Sequence, residues 1–269
     1  MRQVHPTAIV EDGARLGDGV AIGPYSRVGG EVTIADAVAL DSHVIVTGRT
    51  TIGARTRVSP FAVIGGAAQD LSYKGQDTAI VIGDDCVIRE YATIHGGTAK
   101  GRGVTTVGAH CFLMIGSHVA HDCLVGDHVI LTNQSTLGGH AEIGEYAILG
   151  GLAAVQQWTR IGAHAFIGGL TGVTRDVVPF VMATGNRDRL GGINATGLKR
   201  RGFDRDTIHA LRAAYEAFFF SRGSRAERIE MLSQRFGEVP AVRQFIDFLR
   251  ATGNRPLSLP RRREAGGDD

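Results

Sequence analysis

Four side chains near the middle of the chain, His118, His121, Asp122 and His140, stand out from the small and aliphatic residues around them. Histidine exchanges a proton near neutral pH, and an adjacent carboxylate can raise its basicity or hold one tautomer. His121 followed by Asp122 therefore reads as a general base with an orienting partner. The segment also admits other readings. The spacing His118-x-x-His121 can grip a metal ion, although no third ligand stands out at a zinc-site spacing. A purely structural role for these histidines is the third reading.

What must position these groups is a strict repeat. Taking every sixth residue gives Val107, Leu113, Val119, Val125, Leu131, Leu137, Ile143, Leu149, Val155, Ile161, Ile167 and Val173. Two residues before the aliphatic position sits a small or branched side chain, as in Cys111, Ser117, Cys123 and Ala141. A period of six suits neither a lone helix nor an ordinary antiparallel pair, and it reads as a solenoid of short parallel strands. One hexad cannot bury its apolar face alone, so stacked units share a continuous aliphatic column. With three hexads per coil, residues eighteen apart stack about 4.8 Å from one another. His121, Gly139 and Gln157 then form one column, and Asp122, His140 and Trp158 the next. The Gly139 amide would lie one coil above His121, where it could donate to a developing oxyanion.

Composition agrees with a thin-cored soluble protein. The chain of 269 residues has 38 glycines, few aromatics and a formal charge of +2, so no global field argues for nucleic acid. Cys86, Cys111 and Cys123 all occupy the small-residue position and read as core filler. Three cysteines without a secretory segment suggest a reducing, cytoplasmic setting. No run of 18 apolar residues exists, so no membrane-spanning segment is expected.

The same period runs from Val4 through Val10, Leu16, Ile22 and onward to Ile64. Two stretches abandon it, Gly65 to Thr78 and Gly96 to Thr106. Long excursions from a repeat tend to sit on one face and line the binding site, with plain surface loops as the alternative. After Val173 the repeat fades, and residues 1–185 are assigned to the solenoid and 186–269 to a helical domain. Asp204 is expected to cap a helix carrying Ile208, Leu211, Tyr215 and Phe218. Ser224 and Glu227 form a capping box for a second, and Pro240 opens a third. The tail Arg261 to Asp269 lacks apolar anchors and reads as frayed, its arginines as a solvated charge run. His110, His128 and His164 share a corner position with Tyr146 and read as structural.

One resemblance covers the whole chain. It rests on His5-Pro6-Thr7-Ala8-Ile9-Val10, Gln69-Asp70-Leu71, Ile94-His95, His118 to Cys123, Gly138-Gly139-His140, Ile148 to Gly151, Gly168-Gly169 and Gly197 to Phe203. In these segments the chain resembles the UDP-N-acetylglucosamine 3-O-acyltransferases, which open lipid A synthesis in Gram-negative bacteria. The resemblance implies a left-handed parallel β-helix with a C-terminal α-helical domain, assembled as a homotrimer, with no cofactor and no metal. It implies transfer of a hydroxyacyl chain from acyl carrier protein to the sugar 3-hydroxyl. His121 matches the general base, Asp122 its orienting residue and Gly139 the oxyanion donor. Asp70, His95, His118, His140, Gln157, Asn194 and Arg200 match positions that hold the sugar nucleotide, and Gly169 the position that measures acyl length. Gly151 and Gly169 stack in the column scheme, leaving side-chain volume vacant along the helix axis.

Three positions depart from the family pattern. Ser72 stands where lysine is common, Gln156 where histidine is common, and Thr196 where an acidic residue is common. These bear on the acceptor more than on the chemistry, so a 3-amino analogue of the sugar remains an alternative, as does a non-catalytic scaffold. Acyl carrier protein is acidic, and the Arg- and Lys-rich surface near the C-terminal helices is its expected dock.

Overall fold

The computed structural model describes residues 3–186, 188–253 and 255–261. Among these, short strands form three sheets of eleven, nine and eight strands. Successive strands fall on successive sheets, so every third strand pairs with the first in parallel: Gln3–Val4 with Ala21–Ile22, and His118–Val119 with Thr136–Leu137. The three sheets are the faces of a left-handed parallel β-helix. We number the faces by the strands Gln3–Val4 (first), Ile9–Val10 (second) and Arg15–Leu16 (third).

The hexad aliphatics fill the interior. Val119, Leu131, Leu137 and Ile167 are all fully buried, as are the small residues that alternate with them. Burying each such side chain stabilises by about 2 kcal/mol, in keeping with the unbroken run of aliphatic residues at these hexad positions. Among the described residues Gln3–Val4 pairs on one side only, with Ala21–Ile22, and Val4 is accordingly 44% exposed. The three cysteines are buried and unpaired, and burial pushes the Cys123 thiol up to about 12.

Corners turn through left-handed backbone. Asp122, His140 and Trp158 have φ of 59°, 62° and 65°, and the same conformation recurs at His110, His128, Tyr146 and His164. Outside glycine this region carries strain, and ring stacking between coils offsets it. His110, His128, Tyr146, His164 and Phe180 form a continuous ladder with centroids 4.4–5.4 Å apart. These histidines are structural, as the sequence suggested.

The solenoid continues beyond Val173: Val181–Thr184 pairs in parallel with Phe166–Ile167, then turns back antiparallel into Arg189–Ile193. Among the described residues four helices follow, α1 (Ala195–Arg200), α2 (Arg205–Phe220), α3 (Arg225–Phe236) and α4 (Pro240–Thr252). The last three carry the expected caps. Asp204 accepts from Thr207 N–H, Ser224 and Glu227 form a reciprocal capping box, and Pro240 begins α4. The short helix α1 was not anticipated. Arg261 corrects the expectation of a loose tail beginning there. Its N–H donates to Leu190 O at 3.1 Å and its guanidinium to Thr184 Oγ1 at 2.5 Å. Leu257 and Pro260 pair with Asp176 and Leu190, and this extended segment ties Arg261 down. The rest of that tail, Arg262 to Asp269, lies outside the described residues. Among the described residues no helix is long and apolar enough to cross a membrane.

Candidate active site

The corner between the second and third faces holds the chemistry. His140 N–H donates to His121 O at 2.9 Å and Trp158 N–H to Gly139 O at 3.0 Å, so the two columns stack as the repeat requires. Both excursions also leave the solenoid at this corner, between Val63–Gly66 and Ala79–Ile82 and between Thr93–His95 and Val104–Val107. That placement is what turns one corner of a regular prism into a recess.

His121 takes an outward-pointing hexad position, the one Gln157 occupies in the next coil but one, where it is exposed. Its imidazole is nonetheless only 4% exposed. Nδ1 lies 3.0 Å from Asp122 Oδ2, and the ring meets His140 edge-on at 4.9 Å. The opposite contact is Gly139. A methyl group built there would come within 2.5 Å of His121 Nε2, so only glycine leaves room for the ring.

The Gly139 N–H finds no acceptor among the described residues. At the equivalent position of another corner, Asp18, Ala54 and Ala109 each give this N–H to an aspartate Oδ1 of the next coil at 2.7–2.8 Å. A buried donor without a partner is costly. Here it stands beside the imidazole, at the place where an oxyanion would be received.

Asp122 is fully buried. Its burial opposes ionisation, but hydrogen bonds from Thr98 and His121 outweigh that, and the carboxyl lies below the usual carboxylate range. His140, with Nδ1 3.7 Å from Asp122 Oδ2, is pushed down mainly by burial, against the pull of Asp122. His95 and His118 form a second pair, edge to face at 5.0 Å, and His118 Nδ1 is 2.7 Å from Thr93 Oγ1. Burial, then the neighbouring His95 and His121, lowers His118 to about 4, and burial also lowers His95. Both are therefore neutral hydrogen-bonding groups at pH 7.

Asp70 belongs to the same recess, since His121 and Lys100 act on its charge. Ser72 explains its posture: the hydroxyl and N–H both reach Asp70 Oδ1, at 2.5 and 2.6 Å, and hold its pKa down. Gln156 and Gln157 are exposed at the same corner. Trp158, 54% exposed, stacks on His140 at 3.7 Å.

Other expected residues lie elsewhere in the same chain. Asn194 caps α1 by accepting from Gly197 N–H, and its Nδ2 donates to His164 O at 3.1 Å. Arg201 donates to Tyr146 O at 2.7 Å. These contacts put α1, with exposed Arg200 and Thr196, at the corner between the third and first faces. Gly151 and Gly169 meet at the remaining corner, where Leu170 N–H donates to Gly151 O at 2.9 Å and Gly169 is exposed. Their vacant volume thus opens on the outer surface.

His118 is not part of the potential ligand cluster that forms among the described residues. The atoms that converge instead are from His121, Asp122 and His140, within 4.8 Å of one another. Both Asp122 oxygens are already engaged by N–H donors from Thr98 and Gly103. Those donors suit a carboxylate shared with an imidazole, and their N–H dipoles would oppose a cation on the same oxygens. Sequence reasoning missed Thr98 and Arg102, and it placed Trp158 in the His140 column without giving it a role. The signal available for the first two was the glycine-rich excursion just before the site.

Stacked hexads with an imidazole–carboxylate pair at one corner define a solenoid of the bacterial hexapeptide transferase class, and residues 105–139 match the family described as bacterial transferase hexapeptide (six repeats). Residues 176–257 match UDP N-acetylglucosamine O-acyltransferase, domain 2. An acyl-[acyl-carrier-protein]–UDP-N-acetylglucosamine O-acyltransferase of Azorhizobium caulinodans is 54% identical over 266 residues, covering 99% of this chain and 98% of the relative. A protein of the same name from Caulobacter vibrioides is 51% identical over 96% of this chain and 98% of its own length. The crystal structure of UDP-N-acetylglucosamine O-acyltransferase from Moraxella catarrhalis superposes with a TM-score of 0.91 at 40% identity, over 94% of this chain and 98% of that one. The chain belongs to the UDP-N-acetylglucosamine O-acyltransferase family.

Proposed function

We propose that this protein moves an acyl chain from acyl carrier protein to the 3-hydroxyl of UDP-N-acetylglucosamine, the first step of lipid A biosynthesis. The observation that carries the mechanism is the His121 ring, tied at Nδ1 to Asp122 and lying against Gly139. Nε2 takes the proton of the sugar hydroxyl as that oxygen attacks the thioester carbonyl. The resulting oxyanion accepts from Gly139 N–H. Collapse breaks the carbon–sulfur bond, and the imidazolium returns its proton to the leaving thiolate. Asp122 stabilises the charge that His121 holds between these steps.

In the same reading, Asp70, His95, His118, His140 and Gln157 hold the sugar nucleotide in the recess. Asn194 and Arg200 are at a second corner and Gly169 is at a third, so one chain cannot bring all of them to one ligand. A homotrimer, with each cleft shared by neighbouring copies, reconciles the placements. Arg200 then serves a phosphate or a uracil carbonyl of its neighbour's ligand, and Gly169 limits acyl length. The reading includes a solenoid over residues 1–185, a helical domain from 186 that docks acyl carrier protein, and a cytoplasmic location.

Mass spectrometry of the product from mixed acyl carrier protein thioesters and both acceptors tests the proposal. An ester of the 3-hydroxyl sugar with one preferred chain length is expected. Exclusive acylation of the 3-amino analogue, or no product from either, would refute it.

A further inference from the structure

A buried carboxylate must be held by donors, and those of Asp122 come almost entirely from one excursion. Thr98 N–H reaches both oxygens at 3.0 and 3.1 Å, and Gly103 N–H reaches Oδ1 at 3.0 Å. The shortest contact is the Thr98 hydroxyl, 2.6 Å from Oδ2, the oxygen that also meets His121 Nδ1. The loop closes tightly on the group: a methyl at Gly101 would fall 2.5 Å from both oxygens, and one at Gly97 2.9 Å from Oδ1. Gly101 N–H donates in turn to Thr98 Oγ1 at 3.2 Å, which aims the hydroxyl proton at the carboxylate. Arg102 pins the far side by donating to Asp122 O at 3.3 Å and pairing with Glu142, which also takes Arg160 at 3.0 Å. Among the described residues the charged or titratable groups that act on Asp122 are thus His121, His140, the neighbouring Cys123 thiol and, through the backbone oxygen of Asp122, Arg102.

We infer that Thr98 is a positioning residue of the acyl transfer, fixing Asp122 Oδ2 at the point from which that oxygen orients His121. The inference rests on the proposed role of His121 as base. Thr98 N–H, at 3.0 Å from Oδ2, keeps the carboxylate in place without Oγ1, but the hydroxyl at 2.6 Å is the shortest contact on the oxygen that also meets the imidazole. Its loss leaves Oδ2 with the longer Thr98 N–H contact alone on the side away from His121, which loosens its alignment with the ring, and a charge-assisted hydrogen bond of this kind corresponds to roughly tenfold or more in rate.

The test compares Thr98→Val, Thr98→Ala and Thr98→Ser with the unaltered protein and with His121→Ala, using acyl carrier protein thioester and UDP-N-acetylglucosamine. Val and Ala are expected to lower kcat on the order of tenfold, with KM for either substrate changed by less than about twofold, and Ser to restore it. An unchanged kcat in a folded Val or Ala variant, or a loss that Ser fails to rescue, overturns the inference. If the Val variant does not fold, the Ala and Ser pair decides. His121→Ala separates the two levels: if it is inactive while Thr98→Val is fully active, only the role of Thr98 falls. If His121→Ala is active, the base assignment falls with it.

Discussion

Replacing Gly139 with alanine adds one methyl group at the point of closest approach between two coils. Its Cβ would stand 2.5 Å from His121 Nε2 and 3.0 Å from Nδ1, whereas ordinary contact begins near 3.4 Å. The ring must therefore withdraw by about 1 Å, and the 3.0 Å bond to Asp122 Oδ2 does not follow, because Thr98 and Gly103 hold that carboxylate in place by hydrogen bonds. Misplacement of a reacting group by about 1 Å costs on the order of 100-fold in rate. The alanine keeps its N–H, so the loss is attributable to the base and not to the oxyanion donor. Overpacking should cost about 1–2 kcal/mol of stability, a modest fall in melting temperature. Gly172→Ala is the matched control, since its Cβ would meet only Asn186 O at 3.7 Å. Steady-state acyl transfer, with melting and oligomeric state measured in parallel, reads the effect. A folded Gly139→Ala protein with kcat near that of Gly172→Ala would refute the packing argument.

Further expectations concern assembly, acid stability, selectivity and metals. Mixed assemblies of His121→Ala and Arg200→Ala chains, each inactive alone, should recover activity at about a quarter of the sites if clefts form between copies at random. No recovery after mixing and reassembly would contradict the shared cleft. His164 is buried and lowered to about 4 from an ordinary 6.5, by burial first and Arg201 second. Its neutral form is the folded one, so its contribution is complete above about pH 6.5 and is lost as pH falls toward 4. That loss is on the order of 2 kcal/mol by pH 5. His164→Phe, which fits between Tyr146 and Phe180, should flatten this part of the stability curve in denaturant titrations at pH 7 and 5. Gly169→Val should shift product from longer to shorter acyl chains, and an unaltered chain profile would remove Gly169 from that role. Exhaustive chelation should leave turnover unchanged, and zinc-dependent recovery would argue for ligation at the His121, Asp122 and His140 cluster.

Much of the fold was readable because a period of six leaves so little freedom. It specified the interior residues, the stacking of His121 under Gly139 and of Asp122 under His140, and the inert cysteines. The capping residues Asp204, Ser224 and Pro240 located three helices because each marks a break in pattern that has one cheap physical use. The helix α1 escaped, since it is six residues long, contains Gly197 and has no amphipathic repeat; only Asn194 as a cap announced it. The last coil fell within the assigned solenoid, but the strand Arg189–Ile193 that turns back against it escaped, because the hexads are irregular around Pro179 and give no register beyond it. The separation of Gly169 from His121 was legible and unused: the spacing is a whole number of hexads but not of coils. The grip of Thr98 on Asp122 was not legible, because an excursion has no register and its contacts are set by tertiary closure.

The central claim is that the His121 imidazole, held by Asp122 and facing the Gly139 amide, takes the proton of the attacking hydroxyl. The most direct test is the single-turnover rate of acyl transfer by a folded, assembled His121→Ala protein saturated with both substrates. A fall of about 1,000-fold is expected for loss of a general base. A rate within tenfold of the unaltered protein would contradict the account.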